Sequence, residues 1–137
     1  MQKAAFSIEK YQFDKVKLDL DNHVSKDVML DFDTEGVFHE TDKKFELIFS
    51  VAAFSEEKTT NNPFVNIRCK GLFAFENVQS FEDIPVYFYR NSIAILFPYV
   101  RAYISLITSQ ANIPGIILPT MNLSSLEKKL KARTTKK

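Results

Sequence analysis

Apolar and polar residues alternate along the first part of the chain, and the alternation slips phase twice. Phe6 and Ile8 share one parity, Tyr11 and Phe13 the other, and Val16, Leu18 and Leu20 return to the first. Side chains of a strand point to alternate faces, so the pattern predicts one long strand, or two collinear ones, bent by bulges or a short turn near Lys10 and Asp14. A second strand follows, with Val28, Leu30 and Phe32 against Met29, Asp31 and Asp33, running past Gly36 towards Phe38 before the turn "HETDKK". The third is the clearest: Phe45, Leu47, Phe49, Val51 and Ala53 share one face. After the polar "SEEKTTNNP", a fourth strand from Phe64 to Phe75 sets Val65, Ile67, Cys69, Gly71, Phe73 and Phe75 against Asn66, Arg68 and Lys70. Four consecutive strands with short polar links predict an antiparallel meander with one wet and one covered face.

The period then changes. Ile93, Leu96, Phe97, Val100, Ile104 and Ile107 recur at helical spacing, with Asn91 or Ser92 as N-cap and Pro98 early enough to bend the helix. "NIPGIILPTMN" is an apolar loop, because two Pro and one Gly interrupt it, and Ser124 or Ser125 caps a short final helix, "SLEKKLKA". "SFEDIPVYFY" stays open between a helix start and an extended piece. The fold class is α+β: a four-stranded antiparallel sheet followed by one long and one short helix packed on one face. One sheet face needs only one long helix. The surplus of apolar loop and aromatic residues therefore predicts an oligomer contact or a surface for apolar partners.

Charge sharpens the division. Residues 128–137, "KKLKARTTKK", hold six Lys/Arg and no acid, whereas residues 1–127 hold 12 Lys/Arg against 17 Asp/Glu. The expected organisation is one domain over 1–127 and a basic, flexible tail over 128–137. From 84 to 126 there is no carboxylate, and Arg90 and Arg101 are the only charges. Cys69 is the only cysteine, which excludes an internal disulfide, a CxxC pair and a cysteine zinc site. The start "MQKAAFSIEK" lacks the apolar run of a secretory signal, and no stretch approaches about 18 uninterrupted apolar residues, so a cytoplasmic protein without membrane insertion is expected.

The usual chemical constellations are missing. Gly36, Gly71 and Gly115 are too scattered for a phosphate-cradling loop. His23 and His39 read as solvated rather than metal-binding, and the i, i+2 acid pairs Asp19/Asp21 and Asp31/Asp33 read as a polar sheet face rather than an acid and base. Cys69 falls on an apolar face and reads as an inert thiol. The basic tail has no interleaved aromatics, so nucleic-acid binding is not expected. No enzyme, cofactor or metal is predicted.

"AILFPYVRAYISLITSQANIPGIILPTMNLSSL" resembles the SecB family of protein-export chaperones. Ile95, Leu96, Phe97, Pro98, Tyr99 and Arg101 match the family's "ILFPYxR" at the start of its long helix, and Pro114, Leu118, Pro119, Asn122 and Leu123 echo its helix-connecting loop "LxPxNF". The amino-terminal "FSIEKYQFDKVKLD" is similar in kind to the family's first strand. The resemblance implies an ATP-independent holdase, a homotetrameric dimer of dimers, that keeps non-native polypeptides export-competent for translocation. It implies client contacts at Phe73, Phe75, Ile113, Ile116, Ile117, Leu118, Met121 and Leu126, and an oligomer interface at Phe97, Tyr99, Arg101 and Tyr103. Asp19, Asp21, Asp31 and Asp33 become candidate contacts for the SecA ATPase. Three departures from typical members concern delivery: the end is basic rather than acidic, Ala102 replaces an acid, and Leu123 replaces an aromatic. A relative dedicated to the antitoxin of a toxin–antitoxin system fits the same residues. An alternative of another class is an α+β domain whose apolar loop lids a small-ligand pocket.

Overall fold

The computed structural model describes residues 6–56, 62–119 and 122–137. Strands β1 (Phe6–Leu18), β2 (Val28–His39), β3 (Lys44–Ser55) and β4 (Val65–Phe75) precede helices α1 (Val86–Gln110) and α2 (Leu123–Ala132), and a short strand β5 (Thr134–Lys136) ends the chain. The sheet order is β1-β4-β3-β2-β5. Only β2, β3 and β4 form a meander. β1 lies on the far side of β4, because the segment after it crosses the end of the sheet, where the Asp19 amide donates to the Phe64 carbonyl at 2.9 Å.

The phase slips in β1 are bulges. Its register against β4 shifts between Ile8 and Lys10 and again between Phe13 and Lys15. Each extra residue restores the apolar parity, so Ile8, Tyr11, Phe13, Val16 and Leu18 oppose Phe73, Gly71, Cys69, Ile67 and Val65. Across the sheet, Phe73 pairs with Phe45 and Phe45 with Phe38. One face of the sheet is thereby apolar from edge to edge, and α1 and α2 cover it.

α1 starts earlier than its apolar period implies. Pro85 (ψ 141°) is its extended N-cap, so Asn91 and Ser92 lie inside the helix, and Ser92 is buried with its hydroxyl donating to the Tyr89 carbonyl at 3.1 Å. "SFEDIPVYFY" resolves into a short 3-10 turn, Phe81–Asp83, followed by the first turn of α1. Phe88 in that turn is fully buried and anchors an aromatic cluster, with ring centroids 4.7 Å from Phe6 and Phe45 and 4.8 Å from Phe75. The helix runs through Pro98, which stands on the exposed side, where solvent can reach the carbonyl that proline leaves without a donor.

α2 is capped by Asn122, whose side chain accepts from the Ser124 amide at 3.0 Å, in place of the expected Ser124 or Ser125. A boundary at 127/128 falls inside α2, whose Leu126 and Leu130 are buried. The basic end continues into β5, parallel to β2 at Gly36, Val37 and Phe38, so the sheet has five strands rather than four. Thr34 donates its buried hydroxyl to the Leu126 carbonyl at 3.0 Å, fixing α2 over β2. Gly36 makes this junction possible: a Cβ there would lie 2.4 Å from the Phe45 ring and 2.9 Å from the Thr134 hydroxyl. Gly36→Ala is expected to cost about 1–3 kcal/mol by overpacking against the buried Phe45 ring. An unchanged urea midpoint would show that the junction has slack.

Candidate functional site

Helical spacing divides the surface of α1 into three stripes. Ile93, Leu96, Val100 and Ile104 face the sheet and are fully buried. Phe97, Arg101 and Ser105 form a stripe on one flank, beside Pro98 and Ala102, while Tyr99, Tyr103 and Leu106 form one on the other. Only a third of the most apolar part of the helix is buried. By length and composition α1 could cross a membrane, although no 18-residue apolar run stood out in the sequence; here it packs on the sheet with its apolar flanks only partly covered.

The loop at 111–119 folds back beside the first flank. Asn112 takes a left-handed φ of 65°, which ends the helix as Gly or Asn commonly does at that position. Thr108, buried in the last turns, donates to the Ile104 carbonyl at 2.7 Å and accepts from the Ile116 amide at 3.0 Å, so one hydroxyl pins the loop to the helix. Gly115 approaches so closely that a Cβ would lie 2.5 Å from the Ser109 hydroxyl. Along the pinned loop, Ile116 (8% exposed) and Leu118 (0%) point into the core and Ile117 (72%) points out. Ile117 joins Phe97, Pro98, Arg101, Ala102 and Ser105 around a surface groove of about 360 Å³. The groove is mainly apolar, and Arg101 is the one charged residue among the described residues that line it.

On the other flank, Tyr99 stacks on Tyr11 with centroids 4.2 Å apart, and Tyr103 on Phe13 at 4.0 Å. Tyr11, Val16, Tyr99 and Leu106 remain exposed there. β1 beneath them is an edge strand of 13 residues, with no strand on its outer side among the described residues.

The eight expected client contacts do not converge as one surface in this chain. Phe73 and Leu118 are fully enclosed, Ile116 and Leu126 are buried, and Phe75 and Ile113 are half-buried. Phe73 and Phe75 pack under Phe88 in the first turn of α1, whereas Ile116, Ile117 and Leu118 lie by its C-terminal half. Met121 lies outside the described residues. Of the four expected oligomer residues, Phe97 and Arg101 line the groove with Ile117, and Tyr99 and Tyr103 occupy the opposite flank. Sequence reasoning placed Pro98 in the family motif and Ala102 among the departures from it, but assigned neither of them, nor Ser105, to a groove and did not mark the loop-pinning Thr108. The i, i+4 spacing of Phe97, Arg101 and Ser105 was a readable signal, but Thr108 had none.

The expected acidic face is also redistributed. Asp19 and Asp21 belong to the short turn after β1 rather than to a strand, and the Asp19 carboxylate accepts from the Asp21 amide at 3.1 Å. Asp31 and Asp33 do lie on the outer face of β2, where Arg133 pairs with Asp33 and reaches Glu35 at 3.8 Å. Lys129 donates to the Phe32 carbonyl at 3.2 Å and Lys136 lies 3.5 Å from Glu40. The basic end of the chain thus partly neutralises the acidic strand. Cys69 is enclosed, and burial pushes its thiol up to about 11, which keeps it protonated and unreactive at neutral pH. Among the described residues, no group of three His, Cys, Asp or Glu is placed to hold a metal.

The family described as preprotein translocase subunit SecB matches residues 5–133. The chain belongs to the SecB family. An uncharacterized protein of Methanocaldococcus jannaschii, MJ0357, is 32% identical over 135 residues, spanning 90% of this chain and 83% of its own length. Among solved structures, the fold is similar to that of the Mycobacterium tuberculosis Rv1957 SecB-like chaperone in complex with a ChAD peptide from the Rv1956 HigA1 antitoxin. The TM-score is 0.68 at 16% identity, covering 86% of this chain and 88% of that one. The SecB motif residues Phe97, Pro98 and Arg101 are three of the six that line the groove.

Proposed function

We propose that this SecB-family chain is an ATP-independent holdase, not an enzyme, that shelters non-native polypeptides on the apolar flank formed by α1 and the 111–119 loop. The observation that carries this reading is the groove around Ile117: an apolar surface held open by a loop whose neighbouring side chains anchor it in the core. Burial of apolar client segments there is non-directional, so it tolerates many sequences. A groove open to solvent suits a chain segment better than an enclosed small ligand, which disfavours the ligand-lid alternative.

Assembly would use the other flank. The free edge of β1 offers backbone pairing to a second copy, and the Tyr11, Tyr99, Tyr103 and Leu106 surface would be covered in a homotetramer. Between an export client delivered to SecA and a dedicated antitoxin client, the second is favoured. Asp19 and Asp21 stand off the sheet, Asp33 is engaged by Arg133, and the similar Rv1957 chaperone holds an antitoxin peptide. A cytoplasmic site of action accords with this reading.

Sedimentation of the purified protein tests it. The expected mass is about four times 15.8 kDa, and it rises on adding a denatured polypeptide but not the same polypeptide in native form. An oligomer indifferent to unfolded chains would overturn the proposal.

A further inference from the structure

The outer face of the sheet, opposite the helices, is divided by charge. Lys10, Lys15 and Lys17 of β1 alternate outwards beside Arg68 and Lys70 of β4, with Lys15 directly across from Arg68 and Lys17 across from Asn66. The acids of that face sit on the other strands: Asp31, Asp33 and Glu35 on β2 and Glu46 on β3. On the basic half the facing carboxylate is Asp14, at the second bulge. It accepts two hydrogen bonds from Arg68, at 3.0 and 2.5 Å, and lies 3.6 Å from Lys70. Glu9, at the first bulge, pairs with Lys44 of β3 at 2.9 Å. Among the described residues no ion pair reaches Lys10, Lys15 or Lys17, and all three are exposed.

Asp14 already neutralises Arg68, so the positive charge left at this spot among the described residues is that of Lys15 and Lys17, which a bound anion would offset. A groove of about 480 Å³ lies at this spot, lined by Asp14, Lys15, Val16, Lys17, Ser50, Asn66 and Arg68. Alternate residues of an extended chain are about 7 Å apart, which is the spacing of Lys15 and Lys17 along β1. A segment laid along the strand with an acid at every second residue would meet both cations. The outward positions of β1 and β4 here are Lys10, Gln12, Lys15, Lys17, Asn66, Arg68, Lys70 and Leu72, with no aromatic among them. Single-stranded nucleic acids are held by stacking on aromatic platforms, so that occupant is disfavoured.

We propose that the β1/β4 half of the outer sheet face is a docking site for an extended, Asp/Glu-rich polypeptide segment, separate from the apolar groove on the helical side. Anisotropy of a labelled short peptide alternating Asp and Thr, added to the full-length protein, tests this. Binding should weaken as salt rises and fall at least about tenfold in K15E/K17E, while the double variant keeps the wild-type circular dichroism spectrum and its capacity for denatured polypeptide. K15A/K17A, which adds no repulsion, should show a smaller loss in the same direction. No binding by the wild type at low salt, equal binding by both variants, or tighter binding of an oligothymidylate of matched length would each overturn the proposal.

Discussion

Replacing Leu118 by Asp is expected to unfold the protein, whereas Ile117→Asp should leave it folded and weaken the proposed capture of denatured polypeptide at least about tenfold. The two residues are neighbours in one loop and belong to the same apolar run, but the first is enclosed and the second is 72% exposed. Leu118→Asp forfeits about 1.5–3 kcal/mol of apolar burial and places a carboxyl group in the hydrophobic core. The desolvation penalty of an unpaired buried charge is several kcal/mol, and domains of this size are stable by only about 5–15 kcal/mol in total. Ile116→Asp should behave like Leu118→Asp, because Ile116 is also buried. Ile117→Asp adds a hydrated charge at the rim of the groove and removes apolar contact only from a bound chain. Thermal melts followed by circular dichroism, with anisotropy of a labelled unfolded polypeptide, separate the two effects. A folded Leu118→Asp protein would mean that the loop can detach from the core. A folded Ile117→Asp protein with full binding would remove the groove from the proposed function.

Phe88→Ala is expected to lower stability by about 3–5 kcal/mol, the range for deleting a fully buried aromatic ring. Phe88 meets Phe6 from β1, Phe45 from β3 and Phe73 and Phe75 from β4, so one ring joins three strands to the first turn of the long helix. Its truncation leaves a cavity among rings that cannot collapse without moving the strands. Tyr87→Ala is the control. That side chain is exposed and tilted against Phe6 at 6.3 Å, and its loss should cost about 1 kcal/mol or less. Urea unfolding of the pair decides the matter, and equal midpoints would refute the assignment of Phe88 as the anchor.

The strands were legible because period-2 patterning acts locally. Even the bulges of β1 appeared as phase slips, since a strand that must keep one face buried cannot change parity without an extra residue. What the pattern missed lies at element ends and in long-range pairing. Pro85 rather than Asn91 or Ser92 caps α1, because Phe88 and Tyr89 form part of a helical turn once they can pack on the Phe cluster. β5 was hidden because "TTK" has no apolar alternation; Gly36 leaves the space beside it, and Arg133 and Lys136 find carboxylates at hand.

By itself, the sequence determined the fold class, the covered and wet faces of the sheet and the apolar surplus after residue 84, and its helix and loop motif carried the resemblance to the SecB family, whose model matches residues 5–133. The tertiary structure decided which of those apolar residues are surface. Ile116, Ile117 and Leu118 are alike as apolar residues, and contacts such as the hydrogen bond from the Ile116 amide to Thr108 help to fix which of them turn inward. The fold likewise decided where the charges meet, bringing the basic end onto acidic β2 and leaving Lys10, Lys15 and Lys17 of β1 without an ion pair among the described residues. Periodicity reports how a residue relates to its own element, whereas exposure and ion pairing depend on neighbours distant in the chain, which only the assembled sheet and helices bring together.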